Sequence, residues 1–113
     1  MSPDTKRITA SQFFNLLQNM EDTIFRIEAT NRFRKSVERS HSRNLDLSDL
    51  LKVIHALAKG EKLDKKHHPH ALSGYSIRVM ECHIKPDWLL VWQQNDKEVI
   101  LILLDTGTHS DLF

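Results

Sequence analysis

An unbroken apolar run, Val-Ile-Leu-Ile-Leu-Leu from Val99 to Leu104, most constrains how this chain can fold. A strand with one face in water alternates between apolar and polar residues, whereas a continuous apolar run needs cover on both faces. We therefore predict a central, covered strand from Glu98 to Thr106. Two more strands are predicted before it, Tyr75 to Ile84 and Trp88 to Gln94, with a turn at Asn95-Asp96-Lys97.

The middle of the chain has the pattern of two helices. Asn31 is the predicted N-cap of a basic helix from Arg32 to about His41. Asp46 is the predicted N-cap of a second helix that ends near Gly60, a natural C-terminal stop. The apolar residues of this second helix recur at positions 47, 50, 51, 54, 57 and 58, on one helical face. Together the two segments predict a helical hairpin.

The N-terminal third predicts a loose tail over residues 1–8, a helix and a strand. The helix runs from Thr9 to Met20, with Thr9 and Gln12 as a capping box, and the strand from Asp22 to Thr30. The order strand–helix–helix–strand–strand–strand indicates an α+β domain. We expect the two-helix hairpin to pack on one face of a twisted, mostly antiparallel four-stranded sheet, with an extra N-terminal helix and a polar loop at 61–73.

Length and cysteine content exclude several classes of protein. The chain has 113 residues, 40% of them hydrophobic, which predicts one domain with one modest core. With a single cysteine, Cys82, no intrachain disulfide can form. No apolar stretch has the length of a signal peptide or a membrane span. We therefore expect a soluble cytoplasmic protein without a membrane partner.

The net charge of +1 hides a basic segment. Residues 23–66 carry 11 basic and 6 acidic side chains, whereas residues 67–113 carry 3 basic and 6 acidic ones. The basic segment suits an anionic partner such as RNA or an acidic protein. The alternative is that these arginines and lysines only solvate the two helices.

Histidines are frequent, with seven in the chain and five of them after position 66. His83 and His109 close predicted strands, where a rigid sheet displays reactive groups. Imidazole titrates near neutral pH, so such residues can act as general base and general acid in one site. Cleavage of RNA next to a ribose 2′-OH needs that pair. His70, His83, Asp87 and His109 can supply it, and the sequence leaves open which group is the base.

The remaining histidines and the two tryptophans have ordinary structural roles in the predicted fold. His67 and His68 are expected to be solvated loop residues, and His41 and His55 structural or exposed ones. Trp88 and Trp92 are expected to pack in the core or on a sheet face. A metal site is disfavoured because the chain has no His-Glu-x-x-His helix and no Cys-x-x-Cys pair, and Pro69 interrupts the histidine cluster. No metal and no other cofactor is expected.

Three motifs resemble the YafQ subfamily of the RelE-like toxins. They are His70-Ala-Leu-x-Gly74, Glu81-Cys-His-Ile-Lys-Pro-Asp-Trp-Leu-Leu-Val91 and Thr106-Gly-Thr-His-Ser-Asp-Leu-Phe113, and the spacing between them needs no gap. The resemblance covers residues 70–113, and the order of elements upstream fits the RelE-like fold. It implies a toxin domain over residues 23–113, preceded by an N-terminal extension over residues 1–22.

The resemblance implies the toxin of a type II toxin–antitoxin system, a ribosome-dependent mRNA endonuclease. Its partners would be the ribosome, mRNA and a cognate antitoxin. The implied catalytic residues are His70, His83, Asp87, His109 and Phe113. The implied RNA-binding residues are the basic ones of the helices, the loop and the following strand: Arg32, Arg34, Lys35, Arg39, Lys65, Lys66 and Arg78.

Two positions depart from the pattern that the resemblance implies. Asp105 stands where the subfamily usually has an arginine facing the scissile phosphate, and Met80 replaces a second arginine. Loss of one stabilising donor typically lowers a rate by about 10²–10³. Arg78 is a possible substitute, since residues two apart on a strand share a face. The alternative function is a weakened or inactive protein of this fold that binds an antitoxin or the ribosome.

Overall fold

The computed structural model of the chain describes residues 7–113. The elements, in chain order, are α1 (Ala10–Gln18), β1 (Arg26–Ala29), α2 (Asn31–Ser42), α3 (Leu47–Ala58), a 3₁₀ helix (Lys65–His67), β2 (His70–Ala71), β3 (Val79–Lys85), β4 (Trp88–Asn95), β5 (Ile100–Gly107) and α4 (His109–Leu112). The α+β class and the helical hairpin are confirmed.

The sheet has five strands in the order β1-β5-β4-β3-β2, rather than the four predicted. The additional strand, β2, lies in the predicted loop and pairs with β3 through His70 opposite Glu81. β1 is parallel to β5, and the other neighbouring pairs are antiparallel, as expected. β5 lies between β1 and β4, so the prediction of its central place is confirmed.

The two faces of β5 are covered unequally. Leu101 and Leu103 are fully buried and belong to the core beneath the helices. Ile102 and Leu104 on the other face are only half-buried. One face of β5 is therefore covered and the other only in part, so the prediction of cover on both faces holds in part.

Capping residues place the helices largely as the sequence predicts. The Thr9–Gln12 capping box is present, and Asp46 caps α3. The prediction that Asn31 caps α2 is wrong. Thr30 caps α2, because its hydroxyl accepts a hydrogen bond from Phe33 N and donates toward the carbonyl groups of Leu103 and Leu104 in the middle of β5. This one side chain ties the start of α2 to the central strand.

The core fills the space between the helices and one face of the sheet. Trp88 and Trp92 are buried in it, as predicted. Phe13 of α1 is also fully buried, with its ring centroid 6.4 Å from that of Phe33 in α2. α1 therefore packs on the helical layer. Burial raises the pKa of the Cys82 thiol to about 12, which makes it a poor nucleophile.

The ends of the chain differ from expectation in two ways. Residues 1–6 of the predicted tail lie outside the described residues. Arg7 donates a hydrogen bond to the carbonyl of Asn44 and Ile8 packs against the core, so this part is not loose. Helix α4 was not predicted. Within residues 7–113, no helix is long and apolar enough to cross a membrane.

Candidate active site

The turn between β3 and β4 positions His83. The register of the two strands shifts between His83 and Lys85, which indicates a β-bulge, a feature common beside active sites. His83 Nδ1 lies 3.1 Å from the carbonyl oxygen of Pro86. Since a carbonyl oxygen can only accept, Nδ1 carries the hydrogen, and Nε2 of the neutral ring is left with a free lone pair.

Helix α4 positions His109. Thr108 caps this helix, and Thr108 and Asp111 form a capping box. His109 Nδ1 lies 3.0 Å from Asp87 Oδ1, and the His109 backbone N–H approaches the same oxygen at 3.3 Å. These hydrogen bonds lower the pKa of the Asp87 carboxyl, with the bond from the His109 side chain as the largest cause. The carboxylate therefore fixes the proton of His109 on Nδ1 and leaves Nε2 for chemistry.

The two imidazole rings face one another across a short gap. The ring centroids of His83 and His109 are 5.9 Å apart, with an angle of 52° between the planes. Both rings are held through Nδ1, so each has Nε2 available to take or give a proton. The pair can act as a base and an acid on one substrate.

Arg39 of α2 and Arg43, the C-cap residue of that helix, hold α4 in place. Arg43 donates to both carboxylate oxygens of Asp111, at 2.7 and 3.3 Å, and Arg39 lies 3.8 Å from it. The Arg43 bond is the main cause that lowers the pKa of Asp111. Gly107 permits this contact, because a Cβ there would lie 2.8 Å from Asp111 Oδ2. The short helix that carries His109 is thus anchored to the body of the domain.

His70 lies on β2, the strand that neighbours the strand of His83. It stands opposite Glu81, which is two residues before His83 on β3 and therefore on the same face. His70 Nδ1 lies 2.9 Å from the His68 carbonyl oxygen, and Nε2 lies 3.3 Å from Glu81 Oε1. Both nitrogens face acceptors, an arrangement that suits a ring with a proton on each nitrogen.

Glu81 was not predicted as a site residue. Its side chain is 7% exposed, and Oε2 is buried without a hydrogen-bond partner among residues 7–113. Acidic residues are rarely buried unless they are paired. The motif Glu-Cys-His gave a signal for this position, since Glu81 and His83 share a face of the strand.

His67 and His68 lie closer to the site than predicted. His67 Nδ1–H donates to the His83 carbonyl oxygen at 2.6 Å, and the His68 ring centroid is 5.8 Å from that of His83. These contacts dock the 3₁₀ helix on β3. His67 is therefore half-buried and part of the structure around His83, contrary to the prediction, whereas His68 is exposed as predicted but lies against the His83 ring.

The seven predicted RNA-binding residues do not form one surface. Lys35, Lys65 and Lys66 are exposed. Arg34 stacks over the ring of Phe14 in α1, with its guanidinium carbon 4.9 Å from the centroid. Arg39 donates to the Thr106 carbonyl oxygen in addition to approaching α4. Arg78 forms an ion pair of 2.6 Å with Asp96 at the far end of the β3–β4 pair, rather than standing near His83.

The carboxylate of Asp105 is bound on several sides. It accepts hydrogen bonds from the Ser36 hydroxyl at 2.5 Å and from the Thr106 N–H at 2.8 Å. Arg32 Nε lies 3.3 Å from its second oxygen. The negative charge is thus compensated by α2. Asp105 and Arg32 border a pocket of about 180 Å³ that is also lined by Phe113, which is 70% exposed.

A larger cleft, of about 400 Å³, is lined by His83. Lys66 lines it together with two lysines that were not predicted as site residues, Lys52 and Lys85. No sequence signal connects these three, because they come from α3, the 3₁₀ helix and the end of β3. In the part of the chain that the structure describes, no three His, Cys, Asp or Glu side chains are placed to share a metal ion.

Sequence comparison identifies a protein family and relatives that this chain resembles. The family described as "Bacterial toxin of type II toxin-antitoxin system, YafQ" matches residues 25–113. The mRNA interferase toxin YafQ of Escherichia coli K12 is 30% identical over 88 residues, which span 77% of this chain and 94% of the relative. All the residues of the histidine site lie within the matched region.

Solved structures agree with the sequence matches. A metal-bound toxin from Helicobacter pylori superposes with a TM-score of 0.75 at 38% identity, over 79% of this chain and 99% of that one. YafQ in the E. coli DinJ–YafQ toxin–antitoxin complex gives a TM-score of 0.73 at 28% identity, over 80% of this chain and 98% of that one. TM-scores above 0.7 over nearly the whole of both proteins show that they share the fold of this chain.

Proposed function

The chain belongs to the YafQ family of bacterial type II toxin–antitoxin toxins, and from this premise we propose that it is an endoribonuclease that cuts mRNA on the ribosome. The name mRNA interferase toxin, borne by its E. coli relative, supports the activity. The observation that carries the proposal is the placement of His83 and His109, each held through Nδ1, with ring centroids 5.9 Å apart.

In the proposed reaction, His83 and His109 are the two proton-transfer residues. A neutral imidazole takes the proton of a ribose 2′-OH, and the 2′-oxygen bonds to the neighbouring phosphorus. The bond from phosphorus to the 5′-oxygen breaks, and the second imidazole, protonated, gives its proton to that oxygen. A 2′,3′-cyclic phosphate and a 5′-OH result. Each group contributes roughly 10²–10⁴-fold to such a rate, and the scheme requires no metal.

Four neighbouring residues complete the proposed site. Asp87 orients His109 and stabilises its protonated form, in the way a carboxylate supports a catalytic imidazole. Glu81 holds His70, which places a positive ring beside the reacting phosphate when His70 is protonated. Phe113 lies at the end of α4, with its N–H bonded to the His109 carbonyl oxygen, and offers an exposed ring on which a base can stack.

A protein antitoxin is the proposed partner. The E. coli relative has been solved in complex with the antitoxin DinJ, which supports a comparable partner for this chain. The division into an extension, residues 1–22, and a toxin domain, residues 23–113, is also a proposal, supported by a family match that starts at residue 25. Because Phe13 is buried in the core, removal of the extension should reduce stability and not only regulation.

Controlled expression of the chain in a bacterial host tests the proposed function. We expect growth arrest and new 5′ ends within translated mRNAs, and neither with a His109→Gln variant. To test ribosome dependence, a purified mRNA is incubated with the protein alone and with translating ribosomes, and cleavage should need the ribosomes. Unchanged growth together with intact mRNA would contradict the proposal.

A second function, binding without cleavage, is motivated by Asp105 and Met80, which stand where the family pattern has arginines. An anion beside the reacting phosphate opposes the charge that develops there, although Arg32 and Ser36 compensate it. Asp105→Arg discriminates the two functions, with Asp105→Asn as the control that removes the charge but retains the shape. A large gain in toxicity from arginine favours a weakened nuclease. Detectable cleavage by the unchanged chain excludes a protein that only binds.

A further inference from the structure

The cleft beside His83 has the size and lining of a ligand site. Its volume of about 400 Å³ lies in the range of roughly 300–1,000 Å³ that is usual for small-molecule pockets. Val53 and Ile84, each 5% exposed, contribute apolar surface to it. Lys52, Lys66 and Lys85 are exposed residues of its lining. We call it the lysine cleft.

The lysine cleft carries excess positive charge. Asp49 is the acidic residue in its lining, and its Oδ2 lies 3.6 Å from Lys85 Nζ. This exposed pair can neutralise only one lysine. Lys52 and Lys66 thus leave two positive charges for an anionic ligand when the histidines are neutral.

The position of Lys66 is set by the same contacts that surround His83. Its backbone N–H donates to the carboxylate of Asp64, which caps the 3₁₀ helix. The next residue, His67, donates to the His83 carbonyl oxygen. His83 itself borders the lysine cleft, so the cleft and the pair of catalytic imidazoles share one residue.

We propose that the lysine cleft binds the RNA nucleotide adjacent to the scissile phosphate, with Lys52 and Lys66 on its phosphates and Lys85, paired with Asp49, at the rim. The proposal rests on the proposed function. An RNA chain whose scissile phosphate lies between His83 and His109 continues on both sides, and one neighbouring nucleotide then comes within reach of the cleft that His83 borders. The apolar floor takes the sugar or the base, while the lysines supply the cations that Asp105 and Met80 do not.

The test measures binding apart from cleavage. The probe is a short, fluorescein-labelled, single-stranded RNA with 2′-O-methyl groups throughout, which cannot be cut, and its anisotropy is followed at increasing salt. The full chain is compared with the triple variant Lys52→Ala/Lys66→Ala/Lys85→Ala. The control is Lys97→Ala, an exposed lysine in the turn at the other end of β4, roughly 25 Å away.

We expect the triple variant to bind more weakly and with less salt dependence. Each phosphate contact contributes about −0.7 to the slope of log K against log salt for a single strand, so the loss of the two contacts made by Lys52 and Lys66 should lower the slope by about 1.4 in magnitude. Lys97→Ala should match the unchanged chain. Equal binding by the triple variant and the control would overturn the proposal, as would no measurable RNA binding by the unchanged chain at low salt.

Two further outcomes separate this proposal from others. If the lysines support RNA binding but the unchanged chain does not cut an unmodified mRNA on ribosomes, the lysine cleft stands and the nuclease function fails. If the triple variant loses affinity for poly-glutamate but binds RNA as the control does, the cleft belongs to an acidic protein partner, and the RNA proposal is wrong.

Discussion

His109 Nδ1 lies 3.0 Å from Asp87 Oδ1, a contact that joins α4 to the turn between β3 and β4. The two side chains are 58% and 69% exposed. Solvent screens an exposed pair of this kind, so the pair contributes little to stability. Its importance therefore lies in the orientation of the imidazole, which it turns so that Nε2 stays free.

Replacement of that carboxylate should impair catalysis without unfolding the protein. We expect Asp87→Asn to lower single-turnover cleavage by about 10²–10⁴-fold, because an amide no longer stabilises the protonated imidazole. The control is Asp96→Asn, an exposed turn aspartate paired with Arg78. Circular dichroism should show both variants folded. A cleavage rate for Asp87→Asn equal to that of the control would remove Asp87 from the mechanism.

Glu81→Gln tests the placement of His70. The amide retains the shape but not the charge of the buried carboxylate, so the His70 ring loses its charged acceptor. We expect cleavage to fall by about 10–10²-fold, chiefly in kcat, with a changed pH profile. The double variant should cleave no more slowly than His70→Gln alone, because Glu81 acts through His70. Additive effects of the two changes would show that Glu81 acts independently of His70.

Thr106→Val tests how β4 and β5 are fixed behind the site. The buried Thr106 hydroxyl accepts from Trp88 Nε1 at 2.9 Å and donates to the Leu89 carbonyl oxygen at 2.6 Å. Valine leaves both groups without a partner, which should cost about 1–3 kcal/mol. A fall in Tm of about 4 °C per kcal/mol is expected by calorimetry. Unchanged Tm would mean that water replaces the hydroxyl.

Acid should weaken the anchor of α4. The pKa of Asp111 is lowered mainly by its hydrogen bond to Arg43, so the carboxylate stabilises the fold at neutral pH. That stabilisation is lost as pH falls below the ordinary aspartate pKa of about 4. Urea unfolding between pH 7 and pH 2 should show a smaller loss of stability for Asp111→Asn than for the unchanged chain. Equal losses would contradict this role of Asp111.

Much of the fold was predictable because its signals are local. The cap residues Thr9 and Asp46 and the apolar run in β5 each carry their own evidence within a few residues. Strand β2 was missed because its two residues are too few to show alternation. Helix α4 is equally too short for an apolar stripe, although Thr108 and Asp111 fit a capping box.

Four candidate-site residues could be predicted because each lies in one of the three sequence motifs: His70 in the first, His83 and Asp87 in the second, and His109 in the third. The contacts of His67 with β3 and of Arg32 with Asp105 join residues far apart in the chain. Neither spacing nor composition predicts such contacts, since they depend on how a loop and a helix pack.

Primer extension on one mRNA in a reconstituted translation system tests the central claim most directly, with the purified chain, His83→Gln, His109→Gln and Lys97→Ala compared. We predict new 5′ ends within the coding region for the unchanged chain and for Lys97→Ala, and a large loss of cleavage for each histidine variant. Identical cleavage by the histidine variants, or no cleavage by any protein in the set, would contradict the account.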